Sequence, residues 1–197
     1  MRKMPGIFIC TALLYSCTAT KSISNYYLEN KQTLDKIQES YKTQYSHRPF
    51  SIGFTDKNFN NISIEIFTDT LKYIYEFAVA EKRIKDTLVK YHLSPTGIDK
   101  LVSEMAKVHC IWINNLEYYV EEKKENLVFM SIREKGFNVP FTNKKYYILT
   151  YFTQPQYYDS EGRLLDRRSR RSIRKINEDV FKRITDKVAY TKSDRFR

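Results

Sequence analysis

The 197-residue chain carries 34 Lys and Arg against 23 Asp and Glu, a formal charge of +11 at pH 7. Sixteen Tyr and twelve Phe against five Gly exclude a disordered chain and describe an aromatic-rich globular one. The length suits a single domain with a sizeable core.

Met1-Arg2-Lys3 is a short basic start, Met4 to Tyr15 is a mostly apolar run, and Leu14-Tyr15-Ser16-Cys17 closes it. The apolar run falls short of the ~20 residues that a membrane-spanning helix needs. A basic start, a short apolar stretch and a small residue before a cut site read as a secretory signal peptide. With a cysteine directly after the cut, these residues resemble the type II signal peptide of bacterial lipoproteins, with Leu14-Tyr15-Ser16-Cys17 as the lipobox. Leu14 and Ser16 match that pattern, and Tyr15 stands where a small residue is usual. The resemblance covers the first 17 residues. It implies that the Cys17 thiol carries diacylglycerol, that the Ser16–Cys17 bond is cut and that the new N-terminus is acylated. At about 0.8 kcal/mol per buried methylene, two or three acyl chains hold a protein on a membrane essentially permanently. The other reading of this segment is an ordinary N-terminal strand or helix with an incidental cysteine.

On the lipoprotein reading, residues 1–16 are a signal peptide, 17–24 a lipidated tether and 25–197 one domain. Position 18 is Thr, not Asp, and no acidic run follows Cys17. By resemblance to lipoprotein sorting, this implies the periplasmic face of an outer membrane. Loss of Arg2 and Lys3 would lower the net charge from +11 to +9. Cys10 would leave with the signal and Cys17 would be lipidated, so Cys110 has no partner for an intramolecular disulfide. It sits in the apolar run His109-Cys110-Ile111-Trp112-Ile113, which reads as a buried thiol.

Asn25 to Tyr45 has the period of an amphipathic helix, with Tyr27, Leu34, Ile37, Tyr41 and Tyr45 on one face. Pro49 ends it and Phe50–Phe54 is expected to be extended. Asn61 to Val79 alternates twice, through Ile62, Ile64 and Ile66 and again through Leu71, Tyr73, Tyr75 and Phe77. Thr68-Asp69-Thr70 between them predicts a hairpin. Glu81–Tyr91 predicts a helix with Ile84 and Leu88 inward. Ser94-Pro95 predicts the capped start of another, with Ile98, Leu101, Val102 and Met105 as its stripe. Strands are predicted at Cys110–Asn114, Glu117–Glu121, Leu127–Arg133 and Tyr146–Phe152. Lys123-Lys124-Glu125-Asn126 is expected to be a turn and Phe137–Asn143 a loop around Pro140. Ile173, Ile176, Val180, Ile184 and Val188 keep a three/four spacing that predicts a basic C-terminal helix over Arg168–Val188. These elements make an α+β domain, a largely antiparallel β-sheet flanked by amphipathic helices.

Ser160 to Arg197 holds 13 basic and 6 acidic side chains. Within it Arg163, Arg167, Arg168, Arg170, Arg171, Arg174 and Lys175 form a dense cluster that suits phosphate-bearing head groups of an anionic surface or another envelope component. The same run also fits the solvated face of an amphipathic helix. Nucleic acid fits the charge alone, but an exported protein rarely meets it. Paired tyrosines at Tyr26-Tyr27, Tyr118-Tyr119, Tyr146-Tyr147 and Tyr157-Tyr158 would, on strands, place one ring on each face. Such rings serve either as half-buried packing or as a platform for a sugar or an apolar ligand.

Catalytic signatures are weak. His47, His92 and His109 lie far apart and in no metal-ligand spacing, and neither a nucleophile elbow nor a phosphate loop is present. Glu121 and Glu122 are adjacent, so on a strand they would face opposite ways. The sequence therefore implies no catalytic residue, no metal and no cofactor. The function it favours is a lipid-anchored cell-envelope protein that binds or scaffolds, with its membrane contact through Cys17. The alternatives are a periplasmic hydrolase with a non-obvious site and a sugar or lipid carrier using a tyrosine-rich sheet face.

Overall fold

The computed structural model describes residues 8–120, 123–133 and 146–195, with side chains described for 23–117, 124–133 and 146–195. The expected loop at Phe137–Asn143 and the Glu121/Glu122 pair lie outside the described residues, as does the Cys17 side chain. The domain is α+β. Eight strands form one sheet in the order Lys72–Ala78, Asn61–Phe67, Phe50–Phe54, Cys110–Val120, Lys123–Arg133, Tyr146–Phe152, Val188–Ser193 and Lys182–Arg183, and every neighbouring pair is antiparallel.

Helix α1, Phe8–His47, carries the predicted apolar stripe: Tyr27, Leu34, Ile37 and Tyr41 are buried. Ile23 extends that stripe by one turn and is 1% exposed. Strand β1, Phe50–Phe54, follows Pro49. Strands β2, Asn61–Phe67, and β3, Lys72–Ala78, form the predicted hairpin. Helix α2, Arg83–Lys90, buries Ile84 and Leu88. Helix α3, Pro95–Lys107, buries Ile98, Leu101, Val102 and Met105, and the Ser94 hydroxyl accepts the Gly97 N–H at 3.1 Å. Gln44, near the end of α1, accepts the Ser94 N–H at 3.0 Å and ties the two helices together.

Strands β4, Cys110–Val120, β5, Lys123–Arg133, and β6, Tyr146–Phe152, complete the middle of the sheet. Two expectations fail here. The separate strands predicted at Cys110–Asn114 and Glu117–Glu121 are one strand as far as Val120. Lys123–Asn126 is strand, paired with Val120–Glu117, and not a turn. Cross-strand polar contacts extend this ladder beyond the apolar pattern. Lys124 pairs with Glu117 at 2.6 Å and the Asn115 amide donates to Asn126 Oδ1 at 3.0 Å.

The largest correction concerns Arg168–Val188, which is not a helix. It holds β7, Lys175–Ile176, β8, Asp179–Val180, and β9, Lys182–Arg183, and meets β10, Val188–Ser193. Arg170, Asn177 and Glu178 all have positive φ, which an α-helix does not admit. The five residues with helical spacing do not share a face. Ile173 is 39% exposed, Ile176 packs on one side of the sheet, and Val188 is buried on the other. All five are β-branched, which suits short strands as well as a helical stripe.

The sheet is therefore a central layer. On one face Phe50, Ile52, Ile64, Met130 and Leu149 pack with α1, α2 and α3 in the main core. On the other, Leu127, Phe152 and Ala189 meet Leu164, Ile176 and Phe181 from the segment between β6 and β10. The second layer has little regular structure and is held by its own apolar cluster.

Candidate functional site

The layer on the second face carries both the basic cluster and a cavity. Leu164 is fully buried and anchors it, with its N–H donating to Phe181 O at 2.8 Å and its carbonyl accepting the Arg174 N–H at 2.9 Å. Leu165 and Ile173 then face each other as an antiparallel bridge, so residues 166–172 form a loop closed at its base. Inside the loop the Asp166 carboxylate accepts the N–H groups of Arg168 at 2.9 Å and Ser169 at 3.0 Å, and the Arg170 N–H donates to Asp166 O at 2.9 Å. The backbone bonds from Ser169 and Arg168 hold the Asp166 carboxyl below the usual carboxylate range. Asp166 is thus a structural part of the turn: it folds the loop with its charge.

The structure brings together six of the seven predicted cations. Arg167, Arg168, Arg170 and Arg171 lie in the loop, and Arg174 and Lys175 lie on its return limb. Arg168, Arg170, Arg171 and Lys175 are exposed, whereas Arg167 is half-buried with Nη1 buried and unpartnered. The Arg170 guanidinium lies 3.9 Å from the Tyr157 ring centroid and donates to the Tyr157 hydroxyl at 2.8 Å. That contact fixes its direction. Among the described residues, Arg168, Arg171 and Lys175 take part in no ion pair. Arg163 stands apart, bound to Asp159 at 2.7 Å and Glu161 at 3.2 Å. Its charge is answered by these two carboxylates of the same turn. Sequence reasoning placed these residues on a helix face because residue spacing carries no record of the Asp166 turn.

The predicted tyrosine platform divides. Tyr147 is buried in the main core, Tyr26 donates to Val108 O, and the side chains of Tyr118 and Tyr119 lie outside the described residues. Tyr73, Tyr75 and Phe77 stack along β3, with the Tyr75 and Tyr91 hydroxyls 2.8 Å apart. Tyr91, at the end of α2, lies against the Tyr73 and Tyr75 rings, and Tyr73 remains exposed.

Two cavities were not foreseen. One of about 550 Å³ lies on the helix-covered face, floored by Phe54, Phe59 and Ile62 and closed by Ile84, Val102 and Ala106. Phe59 has φ +60 there, held by a loop in which Asp56 accepts the N–H groups of Asn58, Asn60 and Asn61. The other, about 280 Å³, lies between the sheet and the C-terminal layer. Trp112, Ser131, Ile148 and Thr191 are register neighbours across β4, β5, β6 and β10 and form its floor. Ile176, Asn177, Asp179 and Phe181 form its wall. Ser131 between Met130 and Ile132 was the available signal, but period two alone does not say whether a polar face is solvent or cavity.

No group of His, Cys, Asp and Glu suited to a metal occurs among the described residues, and no described helix is long and apolar enough to cross a membrane. The chain matches no protein-family model, no curated protein and no solved structure.

Proposed function

We propose that the chain is a lipid-anchored cell-envelope protein that binds an anionic surface through its arginine loop and has no catalytic role. The observation that carries this reading is the loop itself. Residues 167–175 hold six cations and no acid, and the one carboxylate beside them, Asp166, is engaged by backbone N–H groups. A folded loop displays its guanidinium groups without the ordering entropy that a disordered tail would lose on binding. Guanidinium groups grip phosphate oxygens bidentately, and each basic residue close to an anionic bilayer adds about 1 kcal/mol.

Lipidation of Cys17 would place such a surface within reach. Ile23 is buried, and residues 17–22 before it continue helix α1, a rise of about 9 Å from Cys17. The periplasmic face of an outer membrane, or another anionic envelope component, is the corresponding partner.

The test has two arms, with full-length and Cys17→Ser proteins made in a diderm bacterium. Intact mass and membrane fractionation should give an N-terminus at Cys17 carrying acyl mass, with the Cys17→Ser protein released. An uncut, unlipidated protein in the soluble fraction overturns the anchor. Flotation of the Cys17→Ser protein with vesicles containing anionic phospholipid tests the loop separately, and equal flotation with neutral vesicles overturns it.

A further inference from the structure

We infer that the cavity between the sheet and the C-terminal layer binds one neutral sugar ring. This site is distinct from the arginine loop and does not rest on the lipid anchor. Its volume, about 280 Å³, lies at the small end of the ~300–1,000 Å³ typical of ligand pockets, which limits the occupant to a single small ring.

The lining is two-sided. Phe129, Ile148, Ile176 and Phe181 give an apolar end that continues into the second core cluster. Asn114, Ser131, Thr191, Ser193, Asn177 and Asp179 give a polar end, completed by Arg195. Ser131, Thr191 and Ser193 are 2%, 6% and 8% exposed, so three hydroxyl side chains are concentrated on one buried patch of sheet. Ser193 is bonded within this patch, its Oγ accepting the Arg195 N–H at 3.2 Å, so the patch is a preformed polar surface.

Position and charge narrow the chemistry. Asn177 and Glu178 are the two central residues of the β7–β8 hairpin, with φ +50 and +68, the signature of a tight two-residue turn. This turn sets Asn177 and Asp179 on the cavity wall. Among the described residues neither side chain makes a hydrogen bond, and neither Asp179 nor Arg195 takes part in an ion pair. One carboxylate and one guanidinium balance, so the lining favours a neutral ligand over an ion. Amide, hydroxyl, carboxylate and guanidinium groups together offer both donors and acceptors. A ring bearing several hydroxyls on its edge and C–H groups on its face matches that mixture. A hydrocarbon would cover the Asn177 and Asp179 side chains without giving them partners, and a charged metabolite would leave one charge unanswered.

Trp112 is the only tryptophan of the chain and lines the cavity, so its emission reports on occupancy. The full-length protein in sugar-free buffer is titrated with glucose, N-acetylglucosamine, glucuronate and cyclohexanol, followed by Trp112 fluorescence and by saturation-transfer NMR of the small molecule. A neutral sugar should saturate with a dissociation constant on the order of 1 mM or lower. Asp179→Ala should weaken it by about tenfold or more, as expected for a hydrogen bond to a charged group. Asn177→Gly, which suits the positive φ and so keeps the turn, should weaken it by about threefold to tenfold. Both variants should keep the wild-type circular dichroism. The inference is overturned if neither method detects a neutral sugar, if cyclohexanol binds as tightly, if only glucuronate binds, or if both folded variants bind like wild type.

Discussion

Gly53 on β1 lies against the indole of Trp112 on β4: a Cβ at position 53 would fall 2.2 Å from Trp112 Cε3 and 2.4 Å from Ile111 O. The two residues are register partners, and β4 carries an irregularity between Cys110 and Trp112 that sets the ring there. Because Ile111 O is backbone, the added carbon has no side chain to displace on that side. Gly53→Ala should therefore destabilise the domain by about 1–3 kcal/mol, the usual range for overpacking a tight site. Chemical denaturation reads the loss, and a shifted native Trp112 emission reads the moved ring. Wild-type stability with unchanged emission would show that the strand gap opens freely.

The arginine loop should loosen in acid. Asp166 has a folded pKa below its ordinary value because the Ser169 and Arg168 N–H groups favour the carboxylate. A depressed pKa means that the stabilisation is complete above the unfolded value, about 3.9, and is lost as pH falls through the folded value. Asp56 is depressed by the same kind of backbone bonding, from Asn61 first. Amide exchange or NMR shifts at Arg168 and Ser169 should change below about pH 4 in the wild type. In Asp166→Ala they should be altered already at neutral pH and show no such step. A step that survives in Asp166→Ala assigns the transition elsewhere.

Cys110 should be chemically silent until the domain unfolds. Its side chain is fully buried, and burial pushes its thiol up to about 12. The thiolate is the reactive form, so little of it exists in the folded state at pH 8. Labelling by a maleimide or a disulfide reagent should follow the unfolding curve in denaturant. Rapid labelling of folded protein would reveal a local opening of β4 beside Trp112.

Elements whose burial is one-sided were legible from the residues. The stripes on α1 and α3, and the alternation through Ile62, Ile64 and Ile66, each repeat with one period against one layer. The Ser94-Pro95 start was legible because a cap is local chemistry. Arg168–Val188 was not, since its apolar residues serve three environments: Ile173 at the surface, Ile176 under the second layer and Val188 in the main core. Their spacing imitates a helix while the backbone turns back at Asn177 and Glu178. The basic cluster was legible as composition but not as geometry. Arg163 looks identical to Arg168 in sequence, and only the fold shows Asp159 and Glu161 beside it. The sugar-sized cavity was invisible because Trp112, Ser131, Ile148 and Thr191 meet by strand register across nearly 80 positions.

That difference between arginines gives a direct test of the surface reading. If the exposed loop cations contact anionic head groups, Arg168→Gln together with Arg171→Gln removes about 2 kcal/mol of attraction. Vesicle partitioning of the Cys17→Ser protein should fall about thirtyfold. Arg163→Gln removes the same kind of charge from a residue already paired with two carboxylates, so partitioning should change little. Raising ionic strength to about 1 M shortens the screening length to ~3 Å and should abolish binding of the wild type. Equal losses from Arg163→Gln and from each single loop variant would instead mean that bulk positive charge attracts the protein, and that the Asp166 turn has no part in presenting it.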